Sequence, residues 1–132
     1  MTADGNERAR IIQQKSDVSA KISETCRYIG FGLVALYYAT KVGDSAFTIV
    51  LREHQPFWIF LVGLMGALTI LSDYLQYFCG YWSAENALKR DPPDYDSESE
   101  WYRARRAFFY TKQGTALVGA VALVVLIYQA GP

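Results

Sequence analysis

Residues 57–82 read FWIFLVGLMGALTILSDYLQYFCGYW, and this run decides the fold. It is too apolar and too long for a core helix of a soluble domain in a chain of 132 residues. At a rise of ~1.5 Å per residue it outreaches a hydrocarbon layer of ~30 Å, so it reads as a transmembrane helix. Phe57 and Trp58 at one end, and Tyr77, Tyr81 and Trp82 at the other, fall where amphipathic rings prefer the membrane interface. The two faces of the helix differ. Leu64, Leu68, Leu71, Leu75, Phe78 and Trp82 recur at steps of four and three as an apolar stripe suited to lipid. Gly66, Thr69, Asp73, Gln76 and Gly80 recur at the same steps as a small, polar stripe. A helix of this kind requires helix neighbours on its polar side.

The rest of the chain fits that setting. Charged residues make up 20% of the sequence but cluster before Tyr28, within 41–54 and within 85–106, which leaves three apolar blocks. The formal net charge is zero, so no global field points to nucleic acid or to an acidic partner. Residues 1–27 are polar, with Ile11, Val18 and Ile22 at helical spacing. They predict a juxtamembrane helix with a thin apolar stripe, serving as a solvated arm or an oligomer contact. Residues 28–43 form a short first span whose ends, Arg27 and Lys41, can snorkel to the headgroups. Gly32, Ala35 and Ala39 give that span a small face for close helix approach. A cleaved signal peptide is not expected, because the polar stretch ahead is long for an n-region and a clean small-x-small site is missing. Residues 46–51 read as an interfacial segment, since Lys41 and Asp44 would otherwise lie deep in lipid. Pro56 suits the first turn of the next helix, and His54 reads as a loop residue.

The second helix is expected to run on through SAENALKR and stop at Asp91-Pro92-Pro93. Ser97 and Glu100 have capping-box spacing, so a third helix should start near Glu98. It would carry Arg103, Arg105 and Arg106 at the interface and cross the membrane over 107–128. The expected fold is a single all-α membrane domain with transmembrane helices at 28–43, 57–82 and 107–128. The arm 1–27 and the segment 83–106, both rich in Lys and Arg, place the N-terminus in the cytoplasm and the C-terminus outside. Small residues on all three helices, Gly32, Gly66, Gly80, Gly114 and Gly119 above all, offer more packing surface than one copy uses, so an oligomeric helical bundle is expected. Cys26 and Cys79 lack metal or disulfide spacing and read as free, buried thiols on the reducing side.

Three stretches, RYIGFGL at 27–33, SDYLQYFCGYW at 72–82 and WYRARRAFFYTKQGTALVGA at 101–120, carry a resemblance. In them the chain resembles a group of small bacterial three-span membrane proteins of uncharacterised function, over most of its length from Arg27 onward. The resemblance implies three spans in a bacterial inner (cytoplasmic) membrane. It implies no activity, cofactor or site residue.

No Gly-rich phosphate loop, zinc motif, or Ser or Cys with a plausible base is present in the sequence, so no enzyme, catalytic residue, cofactor or metal is expected. The informative polar set is Asp73, Gln76, Lys112 and Gln113, with Thr69, Tyr74, Tyr77 and Tyr110 nearby. An ionisable group in a span costs about 2.5–3.5 kcal/mol on insertion scales, so such groups pair or line water. Counted from the inner membrane edge, Asp73 and Lys112 lie at comparable depths, ~12 Å and ~9 Å, and should face each other. The set is either interhelical glue or the lining of a cavity. Three functions follow as expectations. The first is a homo-oligomer that forms or gates an ion-permeable path or perturbs the membrane, holin-like or defence-effector-like in size and topology. The second is a non-catalytic anchor or accessory subunit for a cytoplasmic or membrane partner. The third is an oligomeric proton-coupled small transporter with Asp73 titrating. The expected partners are the lipid bilayer, further copies of the chain and a cytoplasmic protein, with no nucleic acid.

Overall fold

The computed structural model describes residues 3–89 and 100–131. Within them lie four helices: α1 (Ala3–Val42), α2 (Ala46–His54), α3 (Pro56–Leu88) and α4 (Glu100–Ala130). α1 runs for 40 residues, ~60 Å, with no proline to break it. The arm and the first apolar block are therefore one element, not a juxtamembrane helix followed by a separate span. α2 covers the segment expected at the interface. Ser45, in an extended conformation, opens α2 by accepting the Thr48 amide at 3.2 Å. Arg52 reaches back to the carbonyls of Thr40 and Lys41, the open end of α1. Gln55 forms the hinge into α3, and Pro56 occupies its first turn as expected. The expected helix stop at Asp91-Pro92-Pro93 and the capping residue Ser97 lie outside the described residues.

α3 lies antiparallel to both α1 and α4. Glycine sets how closely α1 and α3 approach. A Cβ on Gly66 would stand 2.8 Å from Leu33 Cβ and 3.0 Å from the Gly30 carbonyl oxygen, so α1 and α3 touch backbone to backbone there. Leu33 then wedges among all three long helices, and with Val62 and Ala122 it forms a core. Towards the α1–α2 turn, Leu51, Ile59 and Leu126 form a second core beside Tyr37 and Trp58.

Three sequence expectations need correction. Gly66 and Gly119 are packed inside this one-chain bundle, Gly119 beneath Leu33 and Met65, so neither is open to a second copy. A Cβ on Gly80 would stand 3.4 Å from the Arg105 side chain, while among the described residues Gly32 and Gly114 face open space. Phe78 and Trp82 do not face lipid alone, because Trp101 of α4 stacks on Trp82 at 6.0 Å and meets Phe78 edge-on. Among the described residues, the two helices long and apolar enough by themselves to cross a membrane are α3 and α4. The outward faces of both are nevertheless strongly apolar, with Phe60, Leu64 and Leu71 on α3 and Val121, Val124 and Ile127 on α4 exposed. A folded chain that turns this much large apolar surface outward is built for a non-aqueous neighbour.

Candidate functional site

The polar stripe of α3 lies on its buried side, and the steps from Gly66 through Thr69 to Asp73 bring the carboxylate against α1 and α4. Lys112 of α4, fully buried, donates from Nζ to Asp73 Oδ1 at 2.7 Å and also to the hydroxyl of Ser23 on α1. Ser23 in turn donates to Asp73 Oδ1 at 3.4 Å. The other carboxylate oxygen, Oδ2, accepts from Arg27 Nε at 2.8 Å, and Arg27 Nη2 donates to the Tyr77 hydroxyl at 3.0 Å. Lys112 is further sheltered by the rings of Phe109 and Tyr77, with centroids at 5.6 Å and 5.9 Å. One turn further along, Thr69 and Thr115 share a hydrogen bond of 2.8 Å between α3 and α4. Three helices therefore converge on one carboxylate. The group is a lock, with two cations against one anion.

Asp73 and Lys112 meet, as the equal-depth reasoning expects. The other members of the expected set separate. Gln113 is half-buried one step round α4 and, among the described residues, takes no part in the hydrogen bonds of the cluster. Gln76 lies beside the cluster with Oε1 buried and without a hydrogen-bond partner among the described residues. Tyr77 belongs to the group, whereas Tyr74 and Tyr110 point outward and are exposed. Ser23 and Arg27 are the members that sequence reasoning missed. Arg27 was expected to snorkel to the headgroups, yet it turns inward onto Asp73. The signal lay in its place: it heads the apolar RYIGFGL block, which must pack on the small face of α3.

The depth of the cluster also differs from expectation. Contacts pair Arg27 with Asp73, Gly30 with Ile70 and Tyr37 with Gly63, so residues 28–42 of α1 lie level with roughly 58–72 of α3. On the other side of Arg27, α1 turns polar, and residues 3–18 are exposed. The charges thus stand at the end of the apolar zone shared by the three helices, rather than ~12 Å inside it. Placement at that edge lowers the cost of burying them.

One turn along α1, Cys26 is buried, and that burial pushes its thiol up despite the nearby Lys112 charge. Cys79 is buried as well, and both cysteines are free. A water-soluble maleimide is expected to label neither at an appreciable rate in the folded protein and both once SDS unfolds it. Fast labelling of Cys26 before unfolding would mean that α1 does not stay seated on α3.

No protein-family model matches the chain, and no curated protein or solved structure matches it. Among the described residues, no three His, Cys, Asp or Glu side chains converge as a metal site would require. Any reading of function therefore rests on the chain's own sequence and on the geometry of the bundle.

Proposed function

We propose that the chain is a non-catalytic three-span membrane anchor, which holds the polar half of α1 at the cytoplasmic face for a protein partner. The observation that carries this reading is the self-sufficiency of the ionic cluster. Asp73 has both oxygens engaged within one copy, by Lys112 and Ser23 on one side and Arg27 on the other. A carboxylate held in this way suits a structural lock better than a water-filled path or a proton carrier. The apolar surface of α1 supports its crossing alongside α3 and α4: Tyr28, Phe31, Tyr38 and Val42 are exposed, level with the apolar part of α3. The basic residues in 1–27 and 83–106 support a cytoplasmic location for both. The likeness to three-span bacterial proteins suggests an inner membrane.

A second reading, the homo-oligomeric pore or membrane-perturbing effector, keeps one support. Among the described residues, nothing beyond its own helix backbone lies within 4 Å of where a Gly32 Cβ would stand, which leaves a close-approach face on α1 open to another copy. Expression of the chain alone separates the two. An anchor leaves the membrane potential and growth unchanged, and a reporter active only in the cytoplasm works within 83–106 and fails at the C-terminus. Rapid depolarisation on induction would hand the function to the pore, and a reversed reporter pattern would overturn the orientation.

A further inference from the structure

We propose that the wedge between α1 and the α3–α4 pair, on the polar side of the ionic cluster, binds the phosphate of an anionic lipid headgroup. Away from Ser23, α1 stands off from its neighbours and leaves a cleft of about 500 Å³, a size that suits a small ligand or headgroup. Lys15, Ser16, Ser19 and Ser23 of α1 and Arg105 and Arg106 of α4 line it. None of the described residues lining the cleft is acidic. The acids on this stretch of α1 are engaged elsewhere, Asp17 accepting from Gln13 and Glu24 from the Tyr28 hydroxyl.

Behind Ser23 and Tyr77, which line the cleft, the ionic cluster adds to the imbalance, because Arg27 and Lys112 together exceed Asp73 by one positive charge. A half-enclosed site with excess cations and several hydroxyl donors is complementary to a phosphate oxyanion. Gln76 lines the same cleft with its unpartnered Oε1, an acceptor that water or a headgroup hydroxyl would satisfy. The position selects the lipid source over a soluble one. The cleft begins at Ser23 and Gln76, where the shared apolar zone ends, and Tyr77 and Tyr102 line it, as befits the level at which aromatic belts and lipid phosphates lie.

This inference rests on the membrane placement proposed above. The experiment uses the full chain purified in a neutral maltoside detergent, titrated with mixed micelles containing phosphatidylglycerol or phosphatidylcholine. Glycerol phosphate and inorganic phosphate serve as soluble arms, with thermal midpoint and native mass spectrometry as readouts. Phosphatidylglycerol is expected to bind saturably, one per chain, and to raise the midpoint, while phosphatidylcholine does neither. The triple variant Lys15→Gln, Arg105→Gln, Arg106→Gln should weaken binding about tenfold or more, as expected for lost charge-assisted hydrogen bonds. The charge-matched control Arg8→Gln, Lys21→Gln, Arg103→Gln, off the cleft, should bind as the parent does. Ser19→Trp fills the wedge without changing charge and should also abolish binding. It keeps the test decisive if the triple variant folds poorly.

Equal loss in the control, retained binding in Ser19→Trp, or equal binding of phosphatidylcholine would overturn the site. Saturable binding of glycerol phosphate without a response to phosphatidylglycerol would overturn the lipid source. A chain that stays soluble without detergent would defeat the membrane placement. A chain that needs detergent yet ignores phosphatidylglycerol would defeat this site alone.

Discussion

Asp73→Asn is expected to destabilise the protein by about 3–5 kcal/mol, more than any other single change in the cluster, because it strands buried charge. Its carboxylate stands 2.7 Å from Lys112 and 2.8 Å from Arg27, so its loss leaves two cations facing one another with no anion between them. Lys112→Gln is the milder change. Asp73 keeps Arg27, and a glutamine amide can still donate toward Ser23 or the carboxylate, so a loss on the order of 1–3 kcal/mol follows. In the double variant only Arg27 remains charged. Its side chain is already 39% exposed and can swing outward to water or headgroups. The double variant should therefore be more stable than Asp73→Asn by at least about 1 kcal/mol, within the range of coupling energies between contacting residues. Thermal or denaturant unfolding in detergent reads all three. Strictly additive losses would mean that Asp73 and Lys112 do not share an ionic lock, and the anchor reading would lose its main support.

The lock was half legible in the sequence. Asp73 and Lys112 could be paired because their helices are consecutive and antiparallel, so equal distance from the connecting segment implies contact. No such local rule reaches α1. Its register against α3 is set by the approach of Gly30 to Gly66, a contact between residues 36 apart in the chain, and only that register carries Ser23 and Arg27 onto the carboxylate. The small, polar stripe of α3 was readable as a buried face, and Gly66, Thr69 and Asp73 are buried. What that stripe packs against was not readable, because a small face suits a neighbour in the same chain and one in another copy equally well. The length of α1 escaped for a different reason. Its first half has only Ile11, Val18 and Ile22 as an apolar stripe, and these remain exposed. Continuity came from the unbroken run of helix-compatible residues, not from burial.

Gly66→Leu is expected to lower the thermal midpoint of a single copy, whatever the chain's oligomeric state. The Cβ alone would stand 2.8 Å from Leu33 Cβ and 3.0 Å from the Gly30 carbonyl, and backbone cannot turn aside as a flexible side chain would. Gly66→Ala should already cost about 1–3 kcal/mol by overpacking, and Gly66→Leu more. The loss reaches beyond the contact. α1 must shift off α3, and the same shift draws Arg27 and Ser23 away from Asp73, so Gly66→Leu should reduce the further penalty of Asp73→Asn in a double variant. Gly32→Leu supplies the opposite case. Among the described residues, nothing beyond its own helix backbone lies within 4 Å of its Cβ position, so the bundle should tolerate it within about 0.5 kcal/mol, as for exposed sites generally. If copies associate through that open face of α1, Gly32→Leu alters the assembly seen by native mass spectrometry while the thermal midpoint holds. The measurement is thus a pair, midpoint and assembly, on both variants. A stable Gly66→Leu protein with altered assembly would return Gly66 to an interface between copies and overturn the packing of α1 on α3.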